Sequence, residues 1–217
     1  MMHKLNISGH QFLLLPERGL YWKETRTLII TDIHLGKSGH FRKSGIAAPP
    51  HINETNLKRM SNLIDEHDPL RVLILGDLFH SDANREWFRF EEWLEYTVGI
   101  EFVLVSGNHD TLHSSFYQKA GISVTKSYEE FGFHFIHHQE TYSGSNDNFT
   151  FCGHLHPGIR LKGKGRQTLK LPCFYIKNRV MTIPAFGEFT GLYLLEPNDA
   201  DQLFLIADNT IIEMPKV

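Results

Sequence analysis

Asp32 and His34 stand two residues apart, and His154 and His156 repeat that spacing near the far end of the chain. In an extended segment such a pair points one way, so each pair could hold a metal ion. Between them lie Gly76-Asp77, Gly107-Asn108-His109-Asp110 and His137-His138. Asp77 has the chemistry of a bridging carboxylate, Asn108 offers a neutral carbonyl oxygen and His137 a further imidazole. The set divides between two ions: Asp32, His34, Asp77 and His156 around one, and Asp77, Asn108, His137 and His154 around the other. Mixed histidine and carboxylate ligands favour Mn, Fe or Zn over Mg or Ca, which prefer oxygen shells. Two such ions clamp a phosphoryl oxygen and supply a bridging hydroxide for in-line attack, because a metal lowers the pKa of water from ~15.7 toward ~7. An acid is then needed for the departing oxygen. His109, beside Asn108, is the candidate, with Asp110 fixing its ring.

Taken singly, these blocks carry little. A lone Gly-Asp or Asn-His-Asp is more often turn chemistry or a helix cap, and an isolated His-x-His is more often surface. Their order is informative, because most follow an apolar run: Leu28 to Ile30, Val72 to Leu75, Phe102 to Val105 and Phe133 to Ile136. Such a run ending in polar and Gly residues reads as a buried strand feeding a loop. Loops at the carboxyl ends of strands are where α/β sheets assemble ligand sites.

The elements that position the blocks change character along the chain. Strands are expected at Gln11 to Leu15, Thr27 to Thr31, Val72 to Leu75 and Phe102 to Val105. Helices are expected at about Asn53 to His67, Ala83 to Val98 and Ser114 to Ala120. The first carries Leu57, Met60 and Ile64 on one stripe, with Asn53 as a possible cap; the second buries Trp87, Phe90, Leu94 and Val98. Short strands then follow one another: Phe131 to Ile136, Phe149 to Cys152, Gln167 to Leu171, Cys173 to Ile176, Val180 to Ile183 and Leu192 to Leu195. Alternating β and α followed by consecutive strands predicts two mixed sheets face to face with helices outside, a four-layer αββα sandwich.

A chain of 217 residues with 41% hydrophobic and 22% charged residues fits one soluble domain spanning 1–217. No segment approaches the ~20 apolar residues of a membrane span, and the N-terminal apolar run ends at Pro16 without a secretory core. Cys152 and Cys173 have no paired spacing and read as reduced core thiols of a cytoplasmic protein. A net charge of −3 argues against a broad nucleic-acid-coating surface but not against a local basic patch.

The pattern Asp-x-His, Gly-Asp, Gly-Asn-His-Asp, His and Gly-His-x-His resembles the calcineurin-like metallophosphoesterase superfamily. That resemblance implies the same four-layer fold and a dinuclear centre with the ligands assigned above. Tyr21-Trp22 through Thr31-Asp32-Ile33-His34-Leu35-Gly36-Lys37, Gly45, Pro49-Pro50, Gly76-Asp77-Leu78-Phe79-His80, Leu171-Pro172-Cys173-Phe174 and Ile183 through Gly191 resemble one subfamily more closely. It is the ligase-associated DNA damage response endonuclease type, which implies a DNA phosphodiester substrate and association with a DNA ligase and a helicase. Many superfamily members have His-Gly at the fourth block, where this chain has His137-His138. Alternation from Phe131 through Phe133 and Phe135 favours His137 as the ligand.

Lys37, Arg42 and Lys43 follow the first block and could grip phosphates beside the scissile one. Arg160, Lys162, Lys164, Arg166 and Lys170 form a second basic segment after His156. For Lys162 to Arg166 the plainer reading is a solvated hairpin. Phe41 and Phe189 could stack on a base, although packing is the simpler role for each. His80 either touches substrate or is a hydrogen-bonded loop residue. Three activities are compatible with these residues: a DNA nuclease in repair, a hydrolase of a small phosphodiester or pyrophosphate, and a non-catalytic module on the same fold. Retention of every ligand in the pattern disfavours the last.

Overall fold

The computed structural model of the chain describes residues 1–37, 51–80, 83–139, 148–188 and 190–215. Its first sheet contains His3–Ile7 (β1), His10–Leu15 (β2), Gly19–Trp22 (β3), Thr27–Ile30 (β4), Arg71–Leu75 (β5), Glu101–Val105 (β6) and Ile122–Thr125 (β7), in that spatial order. The strands β1 to β4 form an antiparallel meander, whereas β4 to β7 are parallel. Parallel neighbours need crossover connections, and the helices Ile52–His67 (α1), Arg85–Glu95 (α2) and Ser114–Lys119 (α3) lie in them.

The second sheet has nine strands. They are Tyr128–Glu130 (β8), Phe133–Phe135 (β9), Phe149–Cys152 (β10), Pro157–Lys162 (β11), Thr168–Lys177 (β12), Val180–Thr182 (β13), Tyr193–Leu194 (β14), Gln202–Ala207 (β15) and Thr210–Glu213 (β16). Here β9, β10 and β13 run parallel, with β12 antiparallel to β13.

Strand alternation separates the cores. Ile29 of β4, Leu73 and Leu75 of β5, and Val103 and Val105 of β6 face the second sheet. They meet Phe135, Phe151, Phe174 and Met181 in a core rich in aromatic rings; Phe135 and Phe151 stack at 5.0 Å. The intervening residues Leu28, Ile30, Val72, Ile74, Phe102 and Leu104 face outward under the helices, against Met60, Leu63, Trp87, Phe90 and Tyr117. Two mixed sheets packed face to face are what the sequence pattern predicts. The three described helices all cover the first sheet, and a smaller cluster of Ile159, Cys173, Tyr175, Leu203 and Leu205 lies on the outer side of the second.

Several expected boundaries move for identifiable reasons. Helix α1 is preceded by His51 without a side-chain cap, and Asn53 lies inside it. Helix α2 is capped by Asn84, whose side chain accepts from the amides of Glu86 and Trp87. It ends at Glu95, so Val98 is 89% exposed rather than on the buried face. Phe131 and Gly132 turn between β8 and β9, both with positive φ, and split the strand expected from Phe131. Pro172 does not end a strand. It sits where β12 changes partner from β11 to β15, a point at which a missing N–H costs no regular ladder bond.

Candidate metal centre

The parallel strands of both sheets deliver the polar blocks to one end of the sandwich. Asp32 follows β4, Asp77 follows β5 and Asn108 follows β6; His137 follows β9 and His154 follows β10. Two groups of potential metal donors result, Asp32 with His34 and His156, and Asp77 with His137 and His154, each with its ligand atoms within 4.8 Å of one another. His156 Nε2 lies 3.2 Å from Asp32 Oδ1. Asp77 stands between the groups, with Oδ2 3.7 Å from His34 Nε2 and Oδ1 3.4 Å from His137 Nε2. Asn108 Oδ1 is 3.0 Å from His137 Nε2, and His154 Nδ1 is 3.1 Å from that same nitrogen.

This donor set fits a pair of metal ions better than it fits itself. Among the described residues, Asp32 Oδ1 and both ring nitrogens of His34 are buried without a hydrogen-bond partner, a costly arrangement unless something else binds them. His137 shows the complementary feature. Its Nδ1 lies 2.8 Å from the carbonyl of Leu75, so a proton there leaves the lone pair of Nε2 pointing into the cluster.

Burial, followed by the charge of Lys37, pulls the pKa of His34 down to about 3, leaving a neutral imidazole at neutral pH. Burial raises Asp32, but His156, His137 and the Thr31 hydroxyl hold it below the usual carboxylate range. Burial and the neighbouring His137 and His138 depress His154. Neutral imidazoles and ionised carboxylates are the forms that bind metals.

The local backbone is not extended. Asp32, His34, Asp77, His154 and His156 all adopt positive φ, between 52° and 67°. Asp and His tolerate this left-handed region better than most residues, yet each instance still costs on the order of 1–3 kcal/mol. Cross-loop hydrogen bonds hold the strain in place. Asp32 N donates to Gly76 O at 3.1 Å, His34 N to Asp77 O at 2.9 Å and Leu35 N to Leu78 O at 2.9 Å. Asp32 and His34 therefore converge through a twisted loop braced on its neighbour, not through simple alternation.

Asp110 has a different role from the one its place beside His109 implies. Its carboxylate accepts from the amides of Asp77 and Gly107 at 2.9 and 2.8 Å, and from those of Leu78 and Phe79 at 2.9 and 3.1 Å. The Tyr117 hydroxyl adds a longer bond at 3.4 Å. Asp110 thus staples the Asp77 loop to the Asn108 loop, and no bond to the His109 ring is present among the described residues. Asp110→Asn would turn amide donors toward an NH2 group, and each buried donor left unsatisfied costs roughly 1–3 kcal/mol. A lowered melting temperature together with reduced metal content is expected. Full metal content with only kcat reduced would restore the ring-orienting role.

His109 is anchored by its amide, which donates to Asp77 Oδ1 at 2.9 Å. Its ring lies 5.5 Å from that of His34 and 4.3 Å from that of His80. His80 therefore faces the cluster. His138 packs its ring on His154 at 4.2 Å, outside both donor groups, whereas His137 belongs to one. Lys37 is half-buried and its charge reaches Asp77 and Asp32. Arg42, Lys43, Phe41 and Phe189 lie outside the described residues.

Supporting residues escape a reading of the sequence. The Thr31 hydroxyl is 2.7 Å from both Leu75 O and Asp32 Oδ2. Asn56 donates from Nδ2 to Ile33 O at 3.3 Å and accepts from the Glu188 amide at 3.2 Å. Arg59 pairs with Glu188 at 2.8 Å and bonds the Phe186 carbonyl. The available signal was Asn56 itself, a polar residue one turn from Met60 on the buried stripe of α1.

The sandwich of two mixed sheets and the paired donor groups at its strand ends define a metal-dependent phosphoesterase. The calcineurin-like phosphoesterase family model matches residues 25–208, and the chain belongs to that family. The family uses a dinuclear metal centre. Among solved structures, the chain is similar to Pseudomonas putida nuclease MPE, with a TM-score of 0.83 and 29% identity over 99% of this chain and 100% of that one. YfcE, a phosphoesterase from E. coli, aligns over 88% of this chain and 99% of its own at 14% identity and a TM-score of 0.44. No curated protein matches the chain. Among the described residues, no helix is long and apolar enough to cross a membrane.

Proposed function

We propose that the chain is a dinuclear-metal phosphodiesterase whose substrate is nucleic acid, DNA foremost, with Mn as the ion that best suits its mixed donors and Fe or Zn as alternatives. The convergence of Asp32, His34 and His156 with Asp77, His137 and His154 carries the chemistry. The nucleic-acid substrate is supported by full-length similarity to a protein described as a nuclease and by the subfamily motifs. Those motifs also support a role in DNA repair beside a ligase and a helicase.

When bound, two divalent ions supply Lewis-acid charge at the phosphoryl group and lower the pKa of water toward neutrality. The chain's own residues do the rest. Asp77 holds negative charge between the donor groups. Asn108 adds an uncharged oxygen beside His137. The His109 imidazole stands next to the cluster but outside both groups, placed to hand a proton to the departing oxygen. Lys37 adds positive charge at the rim, where the flanks of a phosphodiester would lie.

Stripping the protein and reconstituting it separately with Mn, Fe, Zn and Mg, then assaying single-stranded, nicked and flapped DNA beside small diesters, tests this reading. Activity only on small diesters would replace DNA with a cyclic nucleotide or nucleotide conjugate. Two variants separate the roles. Asn108→Ala is expected to lose metal and activity together. His109→Ala should keep its metal and lose ~10²–10⁴-fold in turnover on poor leaving groups, with much less loss on nitrophenyl esters. Equal losses on both would remove His109 from the acid role.

A further inference from the structure

We infer that the hairpin of β11 and β12 is a docking arm for the phosphate backbone of a nucleic-acid strand that extends away from the metal centre. The inference rests on the nucleic-acid reading above. Strand β11 begins at Pro157, immediately after His156. It pairs with the first half of β12 in the register Gly158↔Pro172, Arg160↔Lys170 and Lys162↔Thr168. The second half of β12 enters the sheet beside β13 and β15. Because β12 runs antiparallel to β13, its Thr168 end lies at the end of the sheet where the metal donors gather.

Alternation then fixes which face is basic. Phe174 of β12 and its neighbours Phe204 and Ile206 of β15 belong to the core between the sheets. Cys173 and Ile159 belong to the outer cluster, against which Leu161 and Leu171 pack. Pro172 and Lys170, with the facing Gly158, Arg160 and Lys162, therefore continue the inner face. Pro172 lines a cavity of about 390 Å³ with Arg18 and Arg59. Arg18 donates to Gly187 O at 3.2 Å, and Gly187 N donates to Asp32 O at 3.0 Å. The basic face thus leads back to the loop of Asp32. The cavity itself also holds Glu17, Glu188 and Asp208, and Arg59 is occupied by Glu188, so the exposed hairpin, not the cavity, carries the free positive charge.

Arg160, Lys162 and Lys170 are exposed and make no ion pair among the described residues. Arg160 sits directly opposite Lys170, a like-charge pair that disfavours the folded hairpin unless an anion lies against it. Lys164 and Arg166 extend the charge at the turn. A chain of net charge −3 has placed five cations on one hairpin beside its site. At ~3.3 Å per residue, Arg160 and Lys162 lie roughly 13 and 20 Å along the strand from His156.

The test is the triple variant Arg160→Gln/Lys162→Gln/Lys170→Gln in the full, Mn-loaded chain. Hydrolysis of bis(p-nitrophenyl) phosphate and of a dinucleotide should be unchanged. On a 20-nucleotide single strand, KM should rise about tenfold or more with kcat nearly constant, and the salt dependence of log KM should flatten by about 2. Equal loss on the small diester, or an unaltered KM for the 20-mer, overturns the proposal. So does inhibition of the natural chain by polyglutamate at lower concentrations than by a phosphorothioate oligonucleotide, which would assign the arm to an acidic protein. If the natural chain cuts the small diester but no oligonucleotide, the nucleic-acid reading falls and takes the arm with it. If it cuts the 20-mer and the variant does so equally well, only the arm falls.

Discussion

Replacing Asp77 with asparagine is expected to reduce phosphodiesterase activity by at least about 10³-fold, more than the loss of a single stabilising donor commonly costs, and to lower bound metal below two ions per chain. Asn has the same shape and can still accept the His109 amide through Oδ1, so the loops should remain folded. What disappears is negative charge at the point where the two donor groups meet, 3.7 Å from His34 and 3.4 Å from His137. The group of His137 and His154 then has no carboxylate of its own, and Asp32 remains with His34 and His156 in the other. Metal content by elemental analysis, turnover and thermal melting should be measured on the same preparation. A variant that holds two ions and works within tenfold of the natural chain would show that Asp77 does not bridge.

The donor types were legible in the sequence because metal chemistry restricts them to a few residues and the strands announce themselves by apolar runs. The way those donors converge was not legible. Asp32 and His34 look like neighbours on one face of an extended segment, but both occupy the left-handed region, held there by Gly76 O and Asp77 O. Such hydrogen bonds join segments more than forty residues apart, so no local pattern encodes them. Asp110 shows the same limit: adjacency in the chain suggested the His109 ring, whereas tertiary packing gives it to four amides. Phe133 and Phe135 lie on the buried strand that leads to His137, while Phe131, the third aromatic in that alternation, is 68% exposed in a turn. Periodicity finds a strand but does not find the turn that shortens it.

A glycine at the site gives the sharpest consequence of this packing. A Cβ added at Gly153 would lie 1.8 Å from Thr31 Oγ1 and 2.7 Å from Asp32 Oδ2. Thr31 cannot yield easily, because its branched side chain is stiff and its hydroxyl is wedged 2.7 Å from both Leu75 O and Asp32 Oδ2, to one of which it donates. The alternative is for the end of β10 to retreat. That would carry away His154, whose amide donates to Asp32 Oδ2 at 2.9 Å. Either movement displaces a donor, so Gly153→Ala should cost ~1–3 kcal/mol of stability through overpacking and ~10–100-fold in metal affinity, as for loss of a residue that orients ligands. Gly191→Ala is the control, since a Cβ there meets nothing within 4 Å among the described residues. Adding Thr31→Ala to Gly153→Ala should recover part of the melting temperature but not the metal affinity, because the Asp32 oxygen loses its hydroxyl donor. Gly153→Ala with unchanged melting and two tightly held ions would mean that the strand end has room the packing denies it.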